Sequence, residues 1–407
     1  MCIKCGDSNH DGRAGLRERR QLLFTGLGLA AAPLLGGVPL SARAQQSPAA
    51  AVGSNLGASS VRAWGMAAAG AALGPLQIPR RAVGPKDVLI DVLYCGVCHT
   101  DIHIARGDWG PPSYPLVPGH EFVGRVVAVG DEVRRFKVGD AAGVGCMVNS
   151  CGTCDNCKAG IEQFCLNGNT LTYNGPDRVH GGHTLGGYSE RIVVTERFVI
   201  TIPPGADLAA TAPLLCAGVT TFSPMQHWKL EAGQRVGVIG LGGLGHMALK
   251  LAVARSADVT VFTTSPGKVA DAQRMGAREV VLPSDSVAMQ RLASKFDLLI
   301  ATVPSSYAVQ PFMNLLKVDG TLVNLGSFDP LQEVRGAGLI RGRRSLAGSL
   351  IGGVAETQQV VDYCAQRNIQ AEIELIRPDQ IAQAFDRVVK KDVRYRFVID
   401  VKAGLSA

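Results

Sequence analysis

Between residues 61 and 202 the apolar positions fall in short runs cut by Gly and Pro, as at 88–93, 122–129 and 188–194. Short β-branched runs bounded by turn formers predict strands, and so many with so little helical period predict an irregular, β-rich domain. Near Gly205 the texture changes. Continuous apolar runs at 235–239, 259–262, 280–282, 298–300 and 321–325 now alternate with helix-like stretches such as 244–254 and 269–275. Strands apolar on both faces and separated by helices predict an α/β fold with a doubly wound parallel sheet. Beyond about Ser349 the pattern predicts helices at 356–367 and 378–390 and a closing strand at 396–401. No solenoid-type repeat is present.

The first 60 residues read differently. Arg19 and Arg20 precede Gln21-Leu22-Leu23-Phe24, an uncharged Gly- and Ala-rich run reaches Leu40, and Ala42-Arg43-Ala44 follows. Paired arginines, an apolar run and a small-x-small site resemble a bacterial twin-arginine signal over residues 1–44, cleaved after Ala44. That reading predicts export to the periplasm with no stable membrane insertion afterwards; without export the protein is cytoplasmic. The rival is a retained anchor, for the run is about as long as a bilayer crossing requires. Gly26, Gly28, Gly36, Gly37, Pro33 and Pro39 lower its hydropathy and helix propensity. Residues 45–60 read as a linker, and the Cys2/Cys5 pair as part of a dispensable tail.

Charge adds little. Of the net +7 over 407 residues, +3 lies in residues 1–44, which leaves no strong basic surface to expect on nucleic acid. Eleven cysteines add more. An odd number at irregular spacing is a poor disulfide framework.

Cys151, Cys154, Cys157 and Cys165 fall as C-x2-C-x2-C-x7-C. Four thiolates on short loops can close a tetrahedron around Zn²⁺ with no open position, which is a structural site; an iron–sulfur cluster is the runner-up. A second set is split along the chain: Cys98, His120 and Cys216, with Glu121 beside the histidine. One His and two Cys are the ligands of a catalytic zinc that keeps its fourth position for water or substrate. Each residue alone reads as a turn or core residue; together they point to metal.

The run Val236-Gly237-Val238-Ile239 leads into Gly240-Leu241-Gly242-Gly243-Leu244-Gly245. A strand followed by GxGxxG and a helix lets backbone and helix N-terminus approach a pyrophosphate. About twenty residues on, NAD enzymes carry Asp or Glu for the ribose hydroxyls. This chain has Thr263-Thr264-Ser265-Pro266-Gly267-Lys268 there. Hydroxyls at Thr264 and Ser265 with the Lys268 ammonium suit a 2′-phosphate, so NADP(H) is expected over NAD(H). The bland alternative is a solvated loop that starts the next helix.

Together with Tyr94-Cys95-Gly96-Val97-Cys98-His99-Thr100-Asp101-Ile102-His103, Tyr114 to Glu121, His183 to Ser189 and Tyr395 to Asp400, these motifs resemble the zinc-containing medium-chain alcohol dehydrogenases. The likeness is strongest to the cinnamyl-alcohol-dehydrogenase-like group with its bacterial aldehyde reductases. It implies a GroES-like catalytic domain over 61–204, completed by 350–407, and an NADP-binding Rossmann domain over 205–349. It implies two zinc ions per chain: a catalytic one on Cys98, His120 and Cys216, with Glu121 a transient ligand, and a structural one on Cys151, Cys154, Cys157 and Cys165. By the same resemblance Asp101 orients the ligands, Thr100 hydrogen-bonds the reacting oxygen and His103 passes its proton to solvent. Gly240, Gly242, Gly243, Leu244, Gly245, Thr264, Ser265 and Lys268 would hold the dinucleotide, with Thr220 near the nicotinamide and Val303 a further cofactor contact. Trp109 resembles a pocket-lining aromatic, Cys95 a packing residue, and Gly267 stands where the group often has Ser. The implied reaction is hydride transfer between NADP(H) and a primary alcohol/aldehyde pair, in a homodimer. A zinc-free quinone or enoyl reductase would lack the Cys98/His120/Cys216 set. A noncatalytic zinc protein would have lost Thr100, His103 or a ligand.

Overall fold

The alternation that predicts a two-faced parallel sheet is realised over the second half of the chain in the computed structural model, which describes residues 57–405. Six parallel strands, Arg235–Ile239, Asp258–Phe262, Glu279–Val281, Phe296–Ala301, Leu316–Asn324 and Ser345–Gly348, form one sheet. Counted along the chain, their spatial order is third, second, first, fourth, fifth, sixth, which is the Rossmann arrangement. Successive residues point to opposite faces. Val236, Val238, Val261, Leu298 and Ile300 pack on one side under the helices Ala217–His227, Gly243–Ala254 and Val354–Gln366. Ile239, Phe262, Leu299 and Ala301 fill the other side with Phe296, Phe312 and Leu316. Both faces are therefore covered, which is why these runs carry no polar alternation.

The β-rich part is a seven-stranded sheet with Asp87–Gly96 at its centre. The closing strand Arg396–Asp400 pairs antiparallel with Asp87–Gly96, which carries the C-terminal segment back to the first half of the chain. Phe122–Val129 pairs on the other side, and Val88, Ile90, Val92, Phe122, Val126, Phe397 and Ile399 share one core. Asp87–Gly96 also pairs with Arg191–Thr195, so the sheet is branched.

Three differences from the sequence expectation have simple causes. Ser59 and Ser60 open a strand, Ser59–Gly65, that pairs with Gly74–Arg80, so the linker ends before residue 59. Only alternate residues of that hairpin are buried, which leaves a weak apolar signal. The sixth parallel strand, Ser345–Gly348, is short and has no fully buried residue, so its pattern does not read as a central strand. The 188–194 run becomes a strand only from Arg191, because Tyr188 turns inward to the buried Asp101. The 1–44 segment, its Cys2/Cys5 pair and residues 45–56 lie outside the described residues.

Candidate metal and dinucleotide site

Two helix starts and one turn converge on Cys98, His120 and Cys216. Cys98 is the N-cap of the helix His99–Arg106, and Cys216 the N-cap of Ala217–His227. The partial positive charge at each helix start favours a thiolate there. His120 follows Gly119, whose φ of 102° only glycine adopts freely. A Cβ at Gly119 would also stand 2.6 Å from Tyr188 and 2.8 Å from the Cys95 sulfur, so the turn cannot carry a side chain. All three residues are buried, and their Nε2 or Nδ1 and Sγ atoms lie within 4.8 Å of one another. His120 Nε2 is 3.2 Å from Cys216 Sγ.

Asp101 ties this set together from beneath. One carboxylate oxygen accepts the Cys98 backbone N–H at 2.8 Å and the Tyr188 hydroxyl at 3.1 Å. The other accepts the Gly119 N–H and lies 3.2 Å from His120 Nδ1, off the line of a good hydrogen bond. Tyr173 stacks on His120 with ring centroids 5.7 Å apart. A carboxylate that bonds the backbone of one ligand and lies against the ring nitrogen of another restrains ligand orientation.

Thr100 and His103 face the same region from the first helix. Thr100 Oγ1 is 3.6 Å from Cys98 Sγ. The His103 ring is half-buried, with Nδ1 2.8 Å from Asp108 and its face stacked on Trp109 at 4.7 Å. Phe328, from the loop after the strand Leu316–Asn324, meets Trp109 at 4.8 Å. Glu121 stands apart from the metal-type set. Both of its oxygens are taken by the buried Arg396, at 2.8 and 2.7 Å. Arg396 also touches the dinucleotide turn, where a Cβ at Gly243 would stand 2.6 Å from its Nη1.

The cysteine quartet is a separate lobe. Sγ–Sγ distances are 3.8 Å for Cys151/Cys157 and 4.0 Å for Cys154/Cys165. Disulfides require about 2.05 Å, and these cysteines are free. Four sulfurs at about 2.3 Å from one zinc would stand about 3.8 Å apart; a four-iron cluster would hold them further apart. The backbone N–H of Cys154 points to Cys151 Sγ and that of Leu166 to Cys154 Sγ, both at 3.4 Å. The Cys154 N–H, with the Thr153 N–H and the Asn167 side chain, holds the Cys151 thiol down to about 5, so it is a thiolate at neutral pH. The quartet fits a closed single-ion site.

The glycine turn also fits its expected occupant. Gly240 has φ 92°, and a Cβ at Gly245 would stand 2.1 Å from the Gly240 carbonyl oxygen, so helix and strand approach only through glycines. At Gly242 a Cβ would meet nothing within 4 Å, which leaves room for a ligand to reach the backbone. These are a tight turn, close helix packing and an open approach for pyrophosphate. Val303 borders Gly240, Leu244 packs partly into the core, and Thr220 is buried on the helix that Cys216 starts. Thr264 is exposed at the end of the second strand, and Ser265 is half-buried. Lys268 is otherwise: it is 4% exposed, and its ammonium donates to the Leu241 carbonyl at 3.2 Å. Sequence reasoning assigns no role to Arg396, Tyr173, Phe328 or Cys146, whose thiol neighbours that of Cys216. Arg396 and Asp400 bracket an apolar strand, a pattern that does not mark Arg396 out from an ordinary strand end.

The alcohol dehydrogenase GroES-like domain profile matches residues 84–204, and that of the zinc-binding dehydrogenases matches 243–366. The chain is 50% identical over 343 residues to NADP-dependent alcohol dehydrogenase C 1 of Mycolicibacterium smegmatis, covering 84% of this chain and 98% of that one. It is 49% identical over 342 residues to the aldehyde reductase YahK of Escherichia coli, covering 84% and 98%. A cinnamyl alcohol dehydrogenase of Sorghum bicolor superposes with a TM-score of 0.82 at 42% identity, over 85% of this chain and 99% of that one. The Helicobacter pylori enzyme solved with NADP(H) gives 0.81 at 40% identity, over the same shares. A split Cys/His/Cys set, a cysteine quartet and a glycine turn on a Rossmann sheet, in a chain 40–50% identical to these enzymes, lead to one conclusion: the protein belongs to the zinc-type medium-chain alcohol dehydrogenase family.

Proposed function

We propose that this protein is a zinc-dependent alcohol dehydrogenase or aldehyde reductase that moves a hydride between NADP(H) and a primary alcohol/aldehyde pair. The observation that carries the reading is the buried Cys98/His120/Cys216 set, whose ligand atoms converge within 4.8 Å. The NADP dependence of relatives near 50% identity and the absence of an acidic residue across 263–268 support the cofactor choice. A zinc ion held there supplies Lewis acidity that eases deprotonation of an alcohol or polarises a carbonyl, and NADP(H) supplies the hydride. Residues 61–204 with 350–407 act as the catalytic unit, and 205–349 as the dinucleotide unit.

The chain's own groups then have distinct tasks. Thr100, beside Cys98, hydrogen-bonds the reacting oxygen, and His103, oriented by Asp108, passes its proton toward solvent. Asp101 is a positioning residue for His120 and the Cys98 backbone. Trp109 and Phe328, whose tilted rings meet at 4.8 Å, form an apolar wall beside His103. Glu121, paired with Arg396, stays off the ligand set in this arrangement. Purified protein should carry two zinc ions per chain and oxidise NADPH with aldehydes. Iron in place of zinc, or no turnover across a panel of aliphatic and aromatic aldehydes, would sink the proposal.

A homodimer and export complete the reading. The edge strand Ser345–Gly348 is paired on one side only, and Ile340 and Leu350 nearby are exposed, which supports pairing with a second copy; sedimentation at a single-chain mass would reject it. Arg19, Arg20 and Ala42-Arg43-Ala44 support twin-arginine export to the periplasm. Mature protein starting near Gln45 in the periplasmic fraction, lost on Arg19→Lys with Arg20→Lys, is the expected result. Uncleaved cytosolic protein would make the enzyme cytoplasmic and leave its chemistry unchanged.

A further inference from the structure

We propose that Arg394, in the segment leading to the last strand, is a cationic contact for the phosphate on the adenosine ribose of NADP(H) and helps select it over NAD(H); the proposal rests on the cofactor reading above. In a sheet of this order the loop after the second strand meets the adenosine ribose, and here that loop is 263–268. Its own cation is committed elsewhere. Lys268 is buried, donates to Leu241 in the glycine turn at 3.2 Å and lies 5.2 Å from the centre of the Tyr395 ring. That contact braces the loop against the turn and leaves the rim to another charge.

Arg394 stands at that rim. Its Nη2 donates to the Gly267 carbonyl at 3.3 Å, and its Nε lies 2.9 Å from Asp271 Oδ2. These two contacts fix the guanidinium plane, while Nη1 has no protein partner among the described residues. The side chain is 44% exposed, so an incoming phosphate can reach it. Gly267 adds no side chain between Arg394 and the loop; even a Cβ there would stand 4.0 Å from Nη2. A planar, permanently charged fork matches a phosphate better than a point charge does. Lys391 adds to the positive field. After burial, the charges of Arg394 and Lys391 lower the Lys268 pKa, opposed by Asp271 and Asp392. An anion bound among these cations relieves that repulsion.

Calorimetric titration of the purified, zinc-loaded protein with 2′,5′-ADP and with 5′-AMP isolates the phosphate from turnover. The native protein should prefer 2′,5′-ADP. Arg394→Ala should weaken 2′,5′-ADP by on the order of tenfold, the equivalent of one charge-assisted contact, and leave 5′-AMP unchanged. Arg394→Lys should restore part of the loss, and Arg394→Gln, which keeps the length and a donor, should resemble Ala if the charge matters. An equal loss for both nucleotides, or no loss in any variant, would overturn the role of Arg394. A native protein that does not discriminate the two nucleotides would overturn the NADP(H) reading itself.

Discussion

Arg396 grips Glu121 with two hydrogen bonds, Nε to Oε1 at 2.8 Å and Nη2 to Oε2 at 2.7 Å, and both side chains are sealed from solvent. The pair joins the last strand to the turn that carries His120. Gly96 leaves the carboxylate its space, since a Cβ there would stand 2.0 Å from Glu121 Oε1. Removing one partner strands a buried charge, which costs about 3–5 kcal/mol. Glu121→Gln should therefore lower the urea midpoint markedly, and Glu121→Gln with Arg396→Met should recover much of it. Two independent, additive losses in that cycle would show that the pair is not coupled.

The two cysteine sets are separate lobes, so their losses should be separable. Cys216→Ser should lower turnover at least about a hundredfold, the equivalent of about 2.7 kcal/mol of lost electrophilic stabilisation, while one zinc per chain remains. Cys154→Ser should remove the other zinc and lower the thermal midpoint, because structural zinc contributes folding free energy. Metal analysis by mass spectrometry beside a melting curve checks both. Loss of both ions in either variant would contradict separate sites.

How much of this was legible depends on how local the signal is. Arg235–Ile239 and Phe122–Val129 are found at their predicted bounds because their runs are dominated by β-branched apolar residues that are mostly buried. The ligand sets were legible because metal chemistry restricts residue type and, for the quartet, spacing. The Lys268 ammonium was not placed, because nothing in residues 263–268 says that Leu241 lies above it. Arg394 meets the 263–268 loop, and Phe328 meets Trp109, from segments far away in sequence. Such long-range meetings are set by the fold, not by local pattern.

Cofactor preference should respond to one exposed position. Thr264 follows the second strand on the solvent side of Thr263, where an acid would face the ribose. Thr264→Asp places a negative charge against the 2′-phosphate and a hydroxyl acceptor against an unphosphorylated ribose. NADPH affinity should fall by about tenfold or more, with NADH affinity unchanged or improved. Fluorescence titration with each reduced dinucleotide reads the ratio, and an unchanged ratio would remove Thr264 from the ribose site.

His246 should give the protein an acid-sensitive joint between its glycine turn and its C-terminal segment. Its Nε2 accepts the Glu372 backbone N–H at 3.3 Å, and its Nδ1 faces the Gly242 carbonyl at 3.3 Å, so only the neutral Nδ1–H ring satisfies both. Tyr395 stacks on it at 5.3 Å, and burial pushes its pKa down to about 3. An unfolded histidine titrates near 6.5. Between those values the unfolded chain binds a proton that the folded chain refuses, so stability is full above about pH 6.5. It falls as pH drops toward 3, by roughly 1.4 kcal/mol per unit within that window. His246→Gln cannot titrate and keeps one donor and one acceptor. Its stability should lie below that of the native protein at pH 7.5, and the gap should narrow by about 2 kcal/mol at pH 5. Urea midpoints of both proteins at the two pH values measure this, and acid loss of zinc, common to both, cancels in the difference. A gap that stays constant with pH would mean that His246 is protonated in the folded protein or makes no difference to its acid sensitivity.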